Sequence, residues 1–181
     1  MLLKKLLFIV VLWCTAHYAM AQNGEQEANL KAAFIYNFTK YIDWGSYNSN
    51  YLFVIGVVGE DSPVIPALRE IAKTRTINNK RIEIRIIDDL SDLRDCDIVF
   101  ITKQSRFPLT SILNRVGRGV LTISESSGYA SQGTDFNFIV VNQKLKFEAN
   151  LNAIAASGLK AGSQLLKLAI IVDEDNIKTS Y

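Results

Sequence analysis

Three short apolar runs constrain this chain more than any other feature. They are Leu52 to Val58, Asp97 to Thr102 and Gly119 to Ser124. Each is brief, rich in Val and Ile, and apolar at consecutive positions, the pattern of a strand buried on both faces. Between them lie segments with helical spacing, Val64 to Lys73 and Pro108 to Val116, the second opened by Pro108 near its first turn. Arg81 to Ile87 alternates Ile82, Ile84 and Ile86 with charged residues, as a strand with one wet face does. Strands alternating with helices predict a largely parallel sheet with helices on its faces. Further on, Phe136 to Val141 and Leu145 to Asn150 flank Asn142-Gln143-Lys144, a hairpin that makes the sheet mixed. The remainder reads as helical: a short helix on Leu151, Ile154 and Ala155 stopped by Gly158, then another on Leu165, Leu166, Leu168 and Ala169. The expected fold class is α/β, a single domain with a C-terminal hairpin plus helices.

Ahead of the first strand, Glu25 to Trp44 reads as one amphipathic helix. Leu30, Phe34, Phe38 and Tyr41/Ile42 form its apolar stripe, with Tyr36 and Trp44 at the edges. Packing on the sheet is the ordinary use of such a stripe. The edge aromatics Tyr36 and Trp44 are the candidates for partner contact, because aromatics are favoured interface anchors.

The first 21 residues have the layout of a cleaved secretory signal. Lys4 and Lys5 precede the apolar run Leu6 to Leu12, and Ala19-Met20-Ala21 offers small residues before Gln22. The run is too short to cross ~30 Å of hydrocarbon. Processing there leaves residues 22–181 as the domain, exported and periplasmic, with no direct membrane insertion. It also removes the only histidine, His17, and one of two cysteines, Cys14. Of the chain's 20 basic residues, Lys4 and Lys5 leave with the signal, and the rest match its 18 acidic residues in number. A balanced charge gives no support for nucleic-acid binding or a polybasic membrane patch.

Without histidine, Ser-His-Asp and Cys-His catalysis are excluded, as are histidine zinc sites. Cys96, left alone, forms no disulfide within the chain, and its place before Ile98-Val99-Phe100-Ile101 suggests burial. No nucleotide-binding glycine motif occurs. Asp88, Asp89, Asp92, Asp95 and Asp97 cluster, but caps and turns account for such aspartates. Asp173-Glu174-Asp175 reads as a solvated acidic patch, and the sequon Asn37-Phe38-Thr39 as chance on a half-buried helix. Nothing points to a metal, a cofactor or an enzyme. In open α/β sheets ligands sit beyond the strand carboxyl ends. The polar groups there are Glu60, Asp61, Lys103, Arg106, Ser124 and Glu125. They define the alternative reading, a small-molecule-binding protein.

Several segments together resemble one family. Lys31-Ala-Ala-Phe-Ile-Tyr-Asn-Phe-Thr-Lys-Tyr-Ile-Asp-Trp44 resembles the opening helix of the YfiR-like (HmsC-like) periplasmic regulators. Cys96-Asp-Ile-Val-Phe-Ile101 is similar to their central strand. Lys146-Phe-Glu-Ala-Asn-Leu151, Ser157-Gly-Leu-Lys160 and Leu165-Leu-Lys-Leu-Ala169 are similar to their C-terminal signature. The resemblance implies an exported, non-enzymatic α/β protein. It also implies a partner, the periplasmic sensor region of an inner-membrane diguanylate cyclase, whose restraint limits cyclic-di-GMP and biofilm. It leaves open whether a homodimer forms. Two features depart from the family pattern. Gln132-Gly133 stands where a Gly-Gly pair is usual, and Cys96 has no partner for the disulfides that characterised members use.

Overall fold

The computed structural model describes residues 24–45 and 51–172. The segment expected to be a secretory signal, the Asn/Ser cluster after Gly45 and the expected acidic patch Asp173-Glu174-Asp175 lie outside the described residues. Helix α1 covers residues 24–38. The elements that follow are β1 (Ile42–Asp43), β2 (Leu52–Val58), α2 (Val64–Thr74), β3 (Thr76–Ile77) and β4 (Lys80–Ile86). A 3₁₀ turn (Leu90–Asp95), β5 (Ile98–Ile101), α3 (Leu109–Leu113) and β6 (Leu121–Ser124) come next. The hairpin β7 (Phe136–Val141) and β8 (Lys144–Ala149) leads to α4 (Leu151–Ala156), β9 (Lys160–Ala161), α5 (Ser163–Leu166) and β10 (Ile170–Ile171).

Eight strands form one sheet in the order β10-β8-β7-β6-β5-β2-β4-β3. β4, β2, β5, β6 and β7 run parallel; β3 is antiparallel to β4 and β8 to β7, and the edge strand β10 runs parallel to β8. The expected single α/β domain with a mixed, mostly parallel sheet is what the chain adopts. Burial on both faces of the central strands follows from the two-residue side-chain period. Phe53, Ile55 and Val57 of β2 join one core cluster, and Val54 and Val58 join the other. α1 and α2 cover the first cluster, and the 3₁₀ turn and α3 cover the second.

α1 differs from expectation in length and in part of its stripe: Phe34, Phe38 and Ile42 face the core as expected, but Leu30 and Tyr41 do not. It ends at residue 38 rather than 44, where the amides of Lys40 and Tyr41 turn to carbonyls three residues back and the Thr39 hydroxyl donates to the Tyr36 carbonyl at 2.6 Å. The chain then extends as β1, which pairs with β9. The buried face is carried by Ala28, Ala32, Ile35 and Phe38, and Leu30 is 46% exposed.

Short strands β3, β9 and β10 were not legible in the sequence, and the turns explain two hairpins. Asn78-Asn79 and Asn142-Gln143 all adopt positive φ, the two-residue geometry whose twist suits paired strands. α4 begins where Asn150 accepts from the Ala153 amide at 2.9 Å and donates to the Ala130 carbonyl at 2.8 Å. Gly158, at φ +77°, closes it. At Gln132-Gly133 only Gly133 needs positive φ, so a second glycine is dispensable there.

The aspartate cluster is structural. Asp89 caps the 3₁₀ turn by accepting from the Ser91 amide, and buried Asp97 accepts from the Val54 amide at 2.7 Å. Another buried carboxylate, Asp135, accepts from the Thr122 amide and hydroxyl, both at 2.7 Å, and from Ser157 at 3.0 Å. Burial pushes its carboxyl up to about 6 despite those bonds.

Candidate functional site

Lys31 is the unusual residue on α1, because it points with Ala28, Ala32 and Ile35 toward the sheet. Its side chain is 7% exposed, and an ammonium there must be paired. Glu125, just past the carboxyl end of β6, supplies the partner at 2.6 Å, and Glu27, one helical turn back, supplies a second at 2.6 Å. Burial opposes the charge on Lys31, but the hydrogen bonds and charges of Glu125 and Glu27 outweigh it and raise the pKa above the lysine norm. The other oxygen of Glu125 accepts from the Lys103 amide at 3.0 Å, which ties α1 to the loop after β5. These groups form the floor of a cleft of about 420 Å³ whose wall is the end of β7. A groove continues beside it, where Leu30, Val140 and Leu145 stand among Gln26, Glu27 and Gln143.

The order in which strands are added reverses between the parallel neighbours β2 and β5. From β2 the chain crosses through α2 to β4 on one side, and from β5 it crosses through α3 to β6 on the other, so their carboxyl ends flank a topological switch point. The cleft there is about 200 Å³ and is lined by Glu60, Asp61 and Arg106 among others. That is smaller than the ~300–1,000 Å³ of ordinary ligand pockets. Its cation is already engaged: Arg106 donates to Glu60 at 3.3 Å and to the Asp88 carbonyl at 2.7 Å, and lies over the Phe107 ring. Gly59 is obligatory beneath it. At φ +123° a side chain is strained, and a Cβ would sit 2.0 Å from Thr102 Oγ1.

The polar groups expected at the strand ends therefore divide. Glu60, Asp61 and Arg106 gather at the switch point, and Lys103 and Glu125 gather at the larger cleft with Lys31. Ser124 joins neither. It is fully buried, donating to Asn137 Oδ1 at 2.8 Å and lying 2.9 Å from Thr134 Oγ1. Trp44 occupies a core position rather than the rim expected of a partner anchor. It is 8% exposed and stands edge-on to Phe53 with ring centroids 5.5 Å apart. It lies beyond the helix end, so β1 turns it inward. Tyr36 stays half-buried, with Lys40 over its ring at 5.0 Å. Lys31 and Glu27 were missed in the sequence, although Lys31 sits four residues before Ile35 on the face that must be buried.

Cys96 is buried and free. It lies so close over β2 that a Cβ on Gly56 would meet its sulfur at 2.6 Å. Burial pushes the thiol up to about 12, with Asp97, Asp95 and Asp92 adding to the rise against Arg85. The processed, folded protein is therefore expected to react with a thiol reagent at about pH 8 orders of magnitude more slowly than the unfolded chain. Equal rates in buffer and in denaturant would refute this placement.

The geometry offers binding surfaces. No group of three or more His, Cys, Asp or Glu side chains is placed to hold a metal ion among the described residues. Nor is any described helix long and apolar enough to cross a membrane. The described residues form an α/β domain with polar clefts beside the strand carboxyl ends. The chain belongs to the YfiR/HmsC-like family, whose model matches residues 28–170. Its fold is similar to that of a conserved domain protein from Vibrio cholerae O1 biovar El Tor strain N16961, known from a crystal structure. The TM-score is 0.54 at 7% identity, over 81% of this chain and 60% of that one. This chain thus spans less than two thirds of that protein, and the likeness is one of fold alone.

Proposed function

We propose that this protein is an exported regulator that acts by binding. It holds the periplasmic region of an inner-membrane signalling enzyme, a diguanylate cyclase, in a restrained state and so limits cyclic-di-GMP and biofilm formation. Family membership across residues 28–170 carries this reading, since the family is one of periplasmic regulators of cyclic-di-GMP signalling. The leader-like residues 1–21 support it, and so does the lack of any histidine in the chain that processing would leave. The ion pairs at the two clefts, Lys31 with Glu27 and Glu125 and Arg106 with Glu60, suit a contact surface better than proton transfer. Cyclic dinucleotide binding by this chain is no part of the proposal, because the cyclase works across the membrane.

Deleting the gene is expected to raise cellular cyclic-di-GMP severalfold. A plasmid copy with residues 1–21 should restore the low level, and a copy lacking them should not. Unchanged cyclic-di-GMP in the deletion strain would overturn the assignment.

A further inference from the structure

Strand β7 outruns its neighbour. β6 pairs with it only at Ile123↔Phe136 and Ser124↔Asn137, whereas β8 pairs with it as far as Val141↔Lys144. Beyond Asn137 the strand therefore has a partner on one side only. A two-residue turn makes Val141↔Lys144 the closing hydrogen-bonded pair. The alternation of the ladder then directs the main-chain groups of Ile139 and Val141 to β8, and those of Val140 away from it. Val140 is 58% exposed. The cleft of about 420 Å³ is lined by Phe138, Ile139, Val140 and Val141 in unbroken succession. Consecutive strand side chains leave on opposite faces. A cleft that touches four in a row runs along the edge of the strand, where its N–H and C=O groups are presented.

We propose that this edge is a docking slot for an extended segment of a partner protein, which adds as a strand beside β7 where β6 stops. The proposal deepens the regulatory reading by naming the mode of contact, and rests on it for the partner's role. Free main-chain groups in a slot of this length are satisfied by another main chain, as in strand addition. The side chains around it set the sequence that fits. Val140, Leu145 and the exposed Leu30 offer apolar contacts for alternate residues of the incoming strand, between the polar Gln26, Glu27 and Gln143. Lys31 is neutralised by Glu27 and Glu125, whereas the exposed Lys103 makes no ion pair among the described residues. An acidic residue at that end of the segment complements it.

The test uses the processed protein and a displayed library of random linear peptides. Retained peptides are expected to alternate apolar residues and to carry an acidic residue. A bound peptide should slow hydrogen exchange at the Val140 amide at least ~tenfold. Val140→Pro removes a donor that β8 does not use, so the fold should persist while peptide affinity falls about tenfold or more. Val140→Thr keeps the donor and should keep binding. Should Val140→Pro fail to fold, amide exchange in the unmutated protein decides alone. Retention of no peptide, or binding that leaves the Val140 amide exchanging as before, overturns the slot. Self-association of the protein through Val140 in place of peptide binding also overturns it. None of these readouts involves cyclic-di-GMP, so failure of the slot is distinct from failure of the regulatory role.

Discussion

Replacing Phe38 with alanine is expected to destabilise the protein by about 4 kcal/mol. Phe38 is 1% exposed and lies at the hub of an aromatic cluster. Its ring centroid is 4.9 Å from Phe136, 4.9 Å from Phe147, 6.0 Å from Phe138 and 6.1 Å from Phe34. Truncation removes the transfer term for a fully buried ring, leaves a cavity among four other rings, and forfeits about 0.5–1.5 kcal/mol for each well-placed pair. The loss falls on the end of α1, the element that carries Lys31 and Leu30. Chemical denaturation should show a lower midpoint with an unchanged slope. Leu30→Ala, at a position 46% exposed, should change stability far less. A Phe38→Ala cost below about 1 kcal/mol would mean that α1 does not rest on the hairpin as described.

The second large effect belongs to the buried ion pair. Lys31→Met leaves Glu125 charged, 6% exposed and held only by the Lys103 amide. Removing one member of such a pair costs about 3–5 kcal/mol, because the remaining charge stays desolvated. Glu125→Gln should cost less, since Lys31 keeps Glu27 and the new amide oxygen still accepts from the Lys103 amide. The double variant Lys31→Met with Glu125→Gln should recover most of the loss. Additive costs in that cycle would show that the two groups do not interact. The pH dependence has a definite sign. Because the folded-state pKa of Lys31 is raised, the stabilisation it contributes is complete below the ordinary lysine value of about 10.4 and is lost as pH rises through the higher folded value. Lys31→Met should lack that alkaline component.

The sheet was readable from composition and spacing because its central strands are apolar on both faces. Leu52 to Val58 announced itself in this way, and the hairpin did so through the turn residues Asn142-Gln143-Lys144 between two strand-like runs. The α1 stripe was read in part: Phe34, Phe38 and Ile42 face the core, whereas Leu30 and Tyr41 are exposed and Ala28 and Ala32, whose small side chains signal burial weakly, take up the rest of the face. The two-residue strands β1, β9 and β10 carry no periodic signal, because pairing across the fold defines them. The strand-end rule drew attention to Glu125 and Lys103, which the structure brings together. It could not reveal that their counterpart is Lys31, ninety-four positions away from Glu125 in the chain. Trp44 was misplaced for a related reason: its exposure depends on where α1 stops, and local turn bonds decide that.

The overhang of β7 beyond β6 gives this architecture an adjustable ruler. Two residues added to each strand at the Asn142-Gln143 end lengthen the hairpin arm by about 7 Å and return the side chains to the same faces. The arm could thus be fitted to longer or shorter recognition segments while every contact beneath α1 stays as it is.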